Sequence, residues 1–317
     1  MKISLKIIIV LSILFSTASN ANLFAQKVNG DDYKLIWEDN FNKPVLDESK
    51  WTATVSDKGG GNRELQYYRH QNVAIDKEPI SGKSCLVITA KKEEYKSKTC
   101  TSGHISTDDK MSFKYGKLEA RIKIPQTADG LWPAFWMLGT DHNDVSWPKC
   151  GEIDIVEMGK LTGITNNVQD KYFNGACHWG ESWNGGSYPN KGISTTNNYS
   201  LQDDFHTYTL LWTADSINMY LDLNKYPNIK PYYSMPISGD GLVDETSRYF
   251  RKPYYIIFNL AIGGTFPEIY DINDITALDK GDAKMYVDYI RLYQAENENA
   301  EFITKSKNCF INWFRKK

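Results

Sequence analysis

Three carboxylates lie close together in one short stretch of the chain, Gly151-Glu152-Ile153-Asp154-Ile155-Val156-Glu157-Met158. The alternation of polar and apolar residues at its start predicts a β-strand in which Glu152 and Asp154 share one face. Regular alternation would turn Glu157 into the core, where a lone carboxylate is costly to bury. A one-residue bulge at Ile155/Val156 returns Glu157 to the face of the other two acids. We therefore predict a bulged strand with three carboxylates on one side.

These carboxylates are the residue types that acid–base and nucleophilic catalysis requires. No lysine or arginine lies among them, so a solvent-facing acidic strand would carry uncompensated repulsion. Such crowding raises the pKa of at least one carboxyl, as a general acid requires. Two carboxyl groups about 5–5.5 Å apart beside a sugar bond are the requirement for retaining glycoside hydrolysis. The stretch therefore predicts Glu152 and Glu157 as a catalytic pair, with Asp154 between them.

The composition is compatible with this chemistry and argues against other classes of protein. The 317-residue chain has 37 lysines and arginines against 39 acidic residues, a net charge of −2. This balance gives no electrostatic argument for binding nucleic acid or an anionic membrane. Aromatic residues make up 13% of the chain. They fit either a large β-rich core or a cleft in which flat indole rings stack on sugars, and composition does not choose between the two.

Short segments with period-two alternation dominate the body of the chain, separated by Gly, Asn, Asp and Pro clusters. The clearest segment runs from Lys114 to Ile124, and others cover Phe205 to Asp222, Tyr254 to Ala261 and Lys284 to Tyr293. Long amphipathic helical patterns and internal repeats do not occur in this body. We predict one all-β domain over residues 30–294, built as a sandwich of two antiparallel sheets.

The N-terminus has the pattern of an export signal. Two lysines and the apolar run Ile7 to Phe15 predict a signal peptide over residues 1–21, with cleavage after Ala21 or as late as Ala25. The apolar run is shorter than the roughly 20 residues that span a bilayer, so we expect no membrane span. We expect export to the periplasm, the cell surface or the medium.

Two further features leave alternatives open. The tail over residues 295–317 fits a docked helix, a partner-binding segment or disorder.

No two cysteines have the C-x-x-C spacing of zinc or redox sites. Export permits a disulfide, but the number of cysteines is odd, so at least one thiol stays free. We expect most thiols to be buried and unpaired. The cysteines are Cys85, Cys100, Cys150, Cys177 and Cys309.

The acidic stretch resembles the signature of family 16 of the glycoside hydrolases in its bulged form. Further motifs of the family follow in order over residues 35–294: Gly61-Asn62-Arg63-Glu64-Leu65-Gln66-Tyr67-Tyr68, Gly130-Leu131-Trp132-Pro133-Ala134-Phe135-Trp136-Met137-Leu138, His178-Trp179-Gly180, Asn259-Leu260-Ala261-Ile262-Gly263-Gly264 and Tyr286-Val287-Asp288-Tyr289-Ile290-Arg291. The resemblance implies a β-jelly-roll sandwich with a substrate cleft along its concave face.

The resemblance also implies a role for each acid. Glu152 would be the nucleophile and Glu157 the general acid/base, while Asp154 would tune their protonation. The residues themselves do not say which glutamate has which role. No cofactor is required by this chemistry.

Several other positions match residues that contact sugars in the family. Asn62 and Glu64 match positions that hold sugars on the non-reducing side, with a polar loop as the alternative. Trp132 and Trp136 would share one face as stacking platforms, and core packing is the alternative for Trp136.

The leaving-group side has its own candidates. His178 and Trp179 resemble the family's His-Trp pair there, although a lone histidine is often structural.

Trp183, on a Gly- and Asn-rich loop, and Asn259 complete the predicted substrate-binding set. Phe266 stands where relatives often have tryptophan, so one subsite would differ in detail.

The resemblance further bears on metal, substrate and assembly. Some family members hold a structural calcium ion partly through an aspartate like Asp288, and a strand-end aspartate satisfied by the backbone is the alternative. The motifs look most like the β-1,3-glucanase branch, which implies endo-cleavage of laminarin and of mixed-linkage β-1,3-1,4-glucan by a monomer. Agarose, carrageenan or a strict mixed-linkage glucan is the alternative substrate. A non-catalytic glucan-binding protein is disfavoured because both glutamates are present.

Overall fold

The computed structural model describes residues 26–28, 31–183, 188–202, 204–238, 242–296 and 299–305. The predicted signal peptide over residues 1–21 lies outside the described residues, so export stays a prediction. Within the described ranges, no helix is long and apolar enough to cross a membrane.

The described residues form 20 β-strands and three short α-helices. The helices are α1 (His142–Val145), α2 (Leu161–Thr165) and α3 (Leu242–Tyr249). In chain order, the strands are β1 (Gln26–Val28), β2 (Asp31–Asp39), β3 (Thr52–Ala53), β4 (Tyr67–Tyr68), β5 (Val73–Lys77), β6 (Ser84–Ala90), β7 (Thr101–Ser102), β8 (His104–Ser106), β9 (Met111–Lys114), β10 (Gly116–Lys123), β11 (Leu131–Gly139), β12 (Glu152–Met158), β13 (Tyr172–His178), β14 (Asn190–Thr196), β15 (His206–Trp212), β16 (Ser216–Leu221), β17 (Tyr233–Pro236), β18 (Tyr254–Ile262), β19 (Ala283–Ala295) and β20 (Glu301–Thr304).

Nearly all of these strands belong to two nine-stranded sheets. Sheet 1 has the order β1-β2-β19-β10-β15-β16-β17, with β6 beside β19 and β5 beside β6. Sheet 2 has the order β14-β13-β12-β11-β18-β8-β3, with β9 beside β18 and β20 beside β9. Neighbouring strands in both sheets pair antiparallel, whereas β4 and β7 form a separate parallel pair. The predicted all-β sandwich is confirmed, and its architecture is a β-jelly roll.

Side chains from both sheets alternate into one shared core. Leu118 and Ile122 of β10 and Phe135 of β11 are almost fully buried in this core. The intervening positions on sheet 2 point the other way, to the side on which Trp136 and Asp154 lie. We call this side of sheet 2 the cleft face.

The structure resolves two expectations that the sequence left open. Glu301–Thr304 pairs with β9, so this part of the tail is a strand at the edge of sheet 2 rather than a docked helix. Four cysteines, Cys85, Cys100, Cys150 and Cys177, are free and buried as expected. Cys309 lies outside the described residues.

Candidate active site

The acidic stretch forms β12 in the interior of sheet 2, and it carries the predicted bulge. The register against β11 jumps between Asp154 and Val156, so Ile155 is an extra residue on β12. The register against β13 shifts over the same interval. The hydroxyl of Tyr232 donates a hydrogen bond to the Ile155 carbonyl, which satisfies a backbone group at the bulge. The bulge thus returns Glu157 to the cleft face.

Both carboxylate oxygens of Glu157 accept hydrogen bonds from side chains of neighbouring strands. Trp132 on β11 donates from Nε1 to Oε1 at 2.9 Å, and Asn174 on β13 donates from Nδ2 to Oε2 at 3.0 Å. The strand register explains these contacts, because Glu157 lies opposite Ala134 on one side and Asn174 on the other. With Glu157 only 8% exposed, the two bonds fix the orientation of its carboxyl group.

Glu152 and Asp154 lie beside His178, at the end of β13. His178 Nε2 is 3.8 Å from Glu152 Oε1 and 3.1 Å from Asp154 Oδ2, the latter without hydrogen-bond alignment. Trp147, in the loop before β12, donates from Nε1 to Glu152 Oε2 at 3.0 Å. An imidazole and a partly exposed indole therefore border these two acids.

Burial raises the pKa values of all three carboxyls, and repulsion from neighbouring acids adds to the rise for Glu152 and Asp154. Burial is the largest cause of the raised pKa of Glu152, followed by the charge of Asp154. Burial also raises the pKa of Asp154, followed by the charge of Glu157, while a hydrogen bond with Glu152 opposes the rise. Burial raises the pKa of Glu157 as well, and its hydrogen-bond donors and nearby positive charges lower it. The cluster therefore retains protons at pH values where isolated carboxylates are ionised.

A chain of hydrogen bonds extends along the cleft face from Trp136. Trp136 donates from Nε1 to Asn259 Oδ1 at 2.7 Å, and Asn259 donates from Nδ2 to the Tyr68 hydroxyl at 3.1 Å. The carboxylate of Glu64 accepts from Tyr68 at 3.1 Å and from Asn62 Nδ2 at 3.3 Å. The structure thus brings four of the predicted substrate-binding residues together and places Trp136 on the cleft face rather than in the core.

Trp132 is held on the cleft face by two different contacts. Its indole nitrogen binds Glu157, and Phe266 stacks on its ring with centroids 4.8 Å apart and an interplanar angle of 12°. Phe266 therefore keeps an aromatic contact with Trp132 at the position where relatives often have tryptophan.

The two tryptophans predicted to contact sugar near His178 have different outcomes. Trp179 is 9% exposed and packs edge-on against Phe250 in the core. Sugar contact by Trp179 is a wrong prediction, because alternation after His178 turns the next side chain to the opposite face. Trp183 is 58% exposed and precedes residues 184–187, which lie outside the described residues, so its sugar contact stays a prediction.

The surroundings of Asp288 do not fit the calcium ion that the resemblance implies. Its Oδ2 accepts a hydrogen bond from Arg121 at 2.6 Å and another from Lys83 Nζ at 3.0 Å. Two positive groups on one carboxylate oxygen repel a cation and occupy a ligand that calcium would need. The expectation of calcium at Asp288 is therefore corrected to a structural ion-pair cluster.

One set of described side chains has the donors and the spacing to hold a metal ion. Ligand atoms of Glu152, Asp154 and His178 all lie within 4.8 Å of one another. Glu152 and Asp154 belong to the acidic cluster of β12, and His178 lies opposite Glu152 on β13. Retaining hydrolysis itself requires only the carboxyl groups.

Five contributors to the site were not predicted from the sequence: Tyr68, Trp147, Asn174, Tyr188 and Tyr232. Asn174 alternates with His178 along β13, and this period-two signal could have revealed it. Tyr68 alternates with Glu64 in the same way. Tyr188 packs edge-on against Trp147 at 4.6 Å between ring centroids, and no local pattern indicates that contact.

Comparison with known proteins gives matches over most of the chain. The family described as "Glycosyl hydrolases family 16" matches residues 62–237. The Clotting factor G alpha subunit of Tachypleus tridentatus is 34% identical over 262 residues. Glucan endo-1,3-beta-glucosidase A1 of Niallia circulans is 32% identical over 286 residues. Each of these alignments covers 83% of this chain.

A solved structure is similar over its whole length. The mixed linkage glucan GH16 protein of Bacteroides ovatus, determined in complex with a product, is 38% identical and superposes with a TM-score of 0.69. The match covers 81% of this chain and 99% of that chain. By contrast, this chain spans only 34% and 38% of the lengths of the two curated relatives.

Proposed function

This chain belongs to family 16 of the glycosyl hydrolases, and from that premise we propose that it is a retaining endo-hydrolase of β-1,3-glucan (laminarin) and of mixed-linkage β-1,3-1,4-glucan. The observation that carries the proposal is the bulge in β12, which aligns Glu152, Asp154 and Glu157 on the cleft face. Relatives named as an endo-1,3-beta-glucosidase and as a mixed linkage glucan protein support this choice of glycans.

The first step of the proposed reaction breaks the glycosidic bond. Glu157 donates its proton to the departing glycosidic oxygen, while a carboxylate oxygen of Glu152 forms a bond to the anomeric carbon. The products are a shortened glucan and a covalent glycosyl-enzyme on Glu152. The hydrogen bonds from Trp132 and Asn174 hold the carboxyl of Glu157 in place for this transfer.

The second step releases the sugar with its original configuration. Glu157, now ionised, takes a proton from water as the water oxygen bonds to the anomeric carbon. The bond from the sugar to Glu152 breaks, and Glu152 leaves as a carboxylate. The indole of Trp147 donates to Glu152 and stabilises that carboxylate.

The division of roles between the two glutamates comes from the family. Both glutamates accept a hydrogen bond from a tryptophan, and the pKa values of both are raised by burial. Contacts and burial therefore support two catalytic carboxyls without distinguishing them. Asp154 shares a hydrogen bond with Glu152 and is well placed to adjust how protons are distributed in the cluster.

Subsites on either side of the acids are proposed from the two groups of cleft residues. Asn62, Glu64, Trp136 and Asn259 form one connected group, which supports binding on the non-reducing side. Residues near His178 lie on the other side of β12, because His178 is on β13, whereas Trp136 and Asn259 are on β11 and β18. This side supports binding of the leaving group.

The test is an assay of reducing ends released by the purified protein and by its Glu152→Ala variant. The panel is laminarin, barley mixed-linkage glucan, agarose and carrageenan. We expect activity on laminarin or barley glucan that disappears in the variant. Activity on a galactan alone would keep the mechanism and refute the substrate. No activity on any of the four from folded protein would refute the proposed function.

A further inference from the structure

A row of polar side chains continues from Glu157 across the next two strands. Glu157 on β12 lies opposite Asn174 on β13, and Asn174 lies opposite Ser194 on β14. Ser194 in turn receives a hydrogen bond from Lys160, which is half-buried and follows β12. The reaction steps above assign no role to Ser194 or Lys160.

The hydrogen bonds in this row have a fixed direction. Lys160 Nζ donates to Ser194 Oγ at 3.3 Å, and Ser194 donates to Asn174 Oδ1 at 3.1 Å. An ammonium group has donors only, so it occupies the acceptor side of the Ser194 hydroxyl and directs the hydroxyl proton to Asn174. The amide oxygen of Asn174 is thereby engaged, and the amide NH₂ group faces Glu157 Oε2 at 3.0 Å.

The backbone after β12 places Lys160 where it can begin this row. Gly159 has φ +97°, and a Cβ at this position would lie 1.9 Å from the Leu131 carbonyl oxygen, so only glycine fits the turn. The next residue, Leu161, donates its backbone N–H to the Phe266 carbonyl at 3.0 Å. Lys160 Nζ also lies 5.9 Å from the centroid of the Phe266 ring, within cation–π range.

We propose that Lys160 is a positioning residue for Glu157, and that it acts through Ser194 by fixing the amide of Asn174 with its NH₂ group toward the carboxyl. The inference rests on the proposed role of Glu157 as the acid/base. Lys160 makes no hydrogen bond to Glu157 among the contacts of the described residues, so beyond the direct attraction of its charge it acts on Glu157 through Ser194 and Asn174.

The orientation of Asn174 matters in both steps of the reaction. With the NH₂ group toward Oε2, the amide cannot accept the acid proton, which then occupies a free lone pair of the carboxyl and is available to the glycosidic oxygen. A flipped amide would present its oxygen to Glu157 and accept that proton, holding it away from the substrate. After proton transfer, the NH₂ group stabilises the carboxylate that serves as base.

The charged and titratable groups that face Glu157 determine the direction in which its pKa changes when Lys160 is removed. Glu152 and Asp154 on β12 favour its protonated form, and Tyr188 interacts with it from the loop before β14. His178 on β13 and Lys160 after β12 favour its ionised form and lower its pKa. Removing Lys160, or flipping Asn174, takes away a stabilising influence on the carboxylate, so the pKa of Glu157 rises.

The experiment measures the titration of Glu157 directly, by carbon NMR of protein labelled with ¹³C at the glutamate carboxyl. The resonance is assigned by its absence from Glu157→Gln. The variants are Lys160→Met, which removes the first donor, Lys160→Arg, which keeps a cationic donor, and Ser194→Ala, which keeps the lysine charge but breaks the row. Lys191→Met is the matched control, because this lysine donates to the Ser234 carbonyl instead.

We expect the titration midpoint of Glu157 to move to higher pH in both Lys160→Met and Ser194→Ala, and to stay near the wild-type value in Lys160→Arg and Lys191→Met. We also expect kcat to fall about three- to tenfold in the first two variants, with little change in KM. Thermal melting checks that each variant is folded, and Ser194→Ala provides the test if Lys160→Met does not fold.

A midpoint that moves in Lys160→Met but not in Ser194→Ala would show a direct effect of charge and overturn the proposal. Unchanged midpoints in both variants would also overturn it. The titration needs no substrate, so its outcome is separate from that of the polysaccharide assay. No activity in that assay together with a moving midpoint would refute the proposed function and leave the positioning of Glu157 intact.

Discussion

Two of the regions in which this molecule buries carboxylates differ in the surroundings of those acids. On the face of sheet 1 that points away from the core, Glu119 lies 3.2 Å from the buried Lys117. On the same face, Asp288 binds both Arg121 and Lys83. Each of these acids has a positive partner, as is usual for charges that a fold takes out of water.

The acids of the cleft face have a different set of neighbours. In the described part of the chain, no lysine or arginine lies within ion-pair distance of Glu152, Asp154 or Glu157, and His178 is the only basic side chain that close. Neutral N–H donors take the place of cations, and the pKa values of all three acids are raised. Ion pairing thus stabilises the acids of sheet 1, while incomplete compensation on the cleft face keeps protons available at a cost in stability.

The largest change in the free energy of unfolding is expected from breaking an ion pair on sheet 1. Lys117→Met leaves Glu119 buried without its cation, and we expect the free energy of unfolding to fall by about 3–5 kcal/mol. Urea denaturation measures the change. Lys43→Met, at an exposed ion pair with Asp47, is the control and should change stability little. A loss no larger than in the control would remove the contrast between the two regions.

A smaller effect is expected from removing a neutral support of the cleft. Tyr232→Phe leaves the Ile155 carbonyl at the bulge without its hydrogen bond, and we expect a loss of about 1–2 kcal/mol of stability. We also expect kcat to fall about tenfold, because the bulge orients Glu157. Tyr220→Phe on sheet 1 is the control. Unchanged kcat with the expected loss of stability would show that the bulge keeps its shape without Tyr232.

The smallest expected change in the free energy of unfolding is a gain rather than a loss. Glu152→Gln removes a carboxyl whose pKa is raised in the folded state, and we expect a gain of about 1 kcal/mol at neutral pH together with loss of activity. A raised pKa means that stability is full below the unfolded-state pKa and is lost as pH rises through the folded-state pKa. The gain in the variant should therefore grow with pH and vanish in acid. Melting curves at several pH values measure it, and a gain that is the same in acid would contradict the electrostatic cause.

Local patterns in the sequence predicted much of the fold and the centre of the site. The bulge followed from one interruption of alternation at Ile155/Val156, because a lone buried carboxylate is costly. The same period-two argument, applied beyond His178, would have placed Trp179 in the core and Asn174 on the cleft face. These outcomes depend only on neighbours along one strand.

Contacts between distant segments could not be predicted in this way. Tyr232 reaches the Ile155 carbonyl across 77 positions of sequence. Arg121 and Lys83 reach Asp288 across 167 and 205 positions, so nothing near Asp288 in the sequence indicates that cations occupy its carboxylate. The pairing of β20 with β9 is equally remote, and its four residues carry too little pattern to predict a strand.

On the bulged strand we propose Glu152 as the nucleophile and Glu157 as the acid/base. The direct measurement adds azide to Glu152→Ala and Glu157→Ala with a dinitrophenyl β-laminaribioside and determines the anomeric configuration of the glycosyl azide. Azide that replaces the missing nucleophile should give the α-azide in Glu152→Ala. Azide that attacks the glycosyl-enzyme should give the β-azide in Glu157→Ala. The reverse assignment, or the same anomer from both variants, would contradict the account.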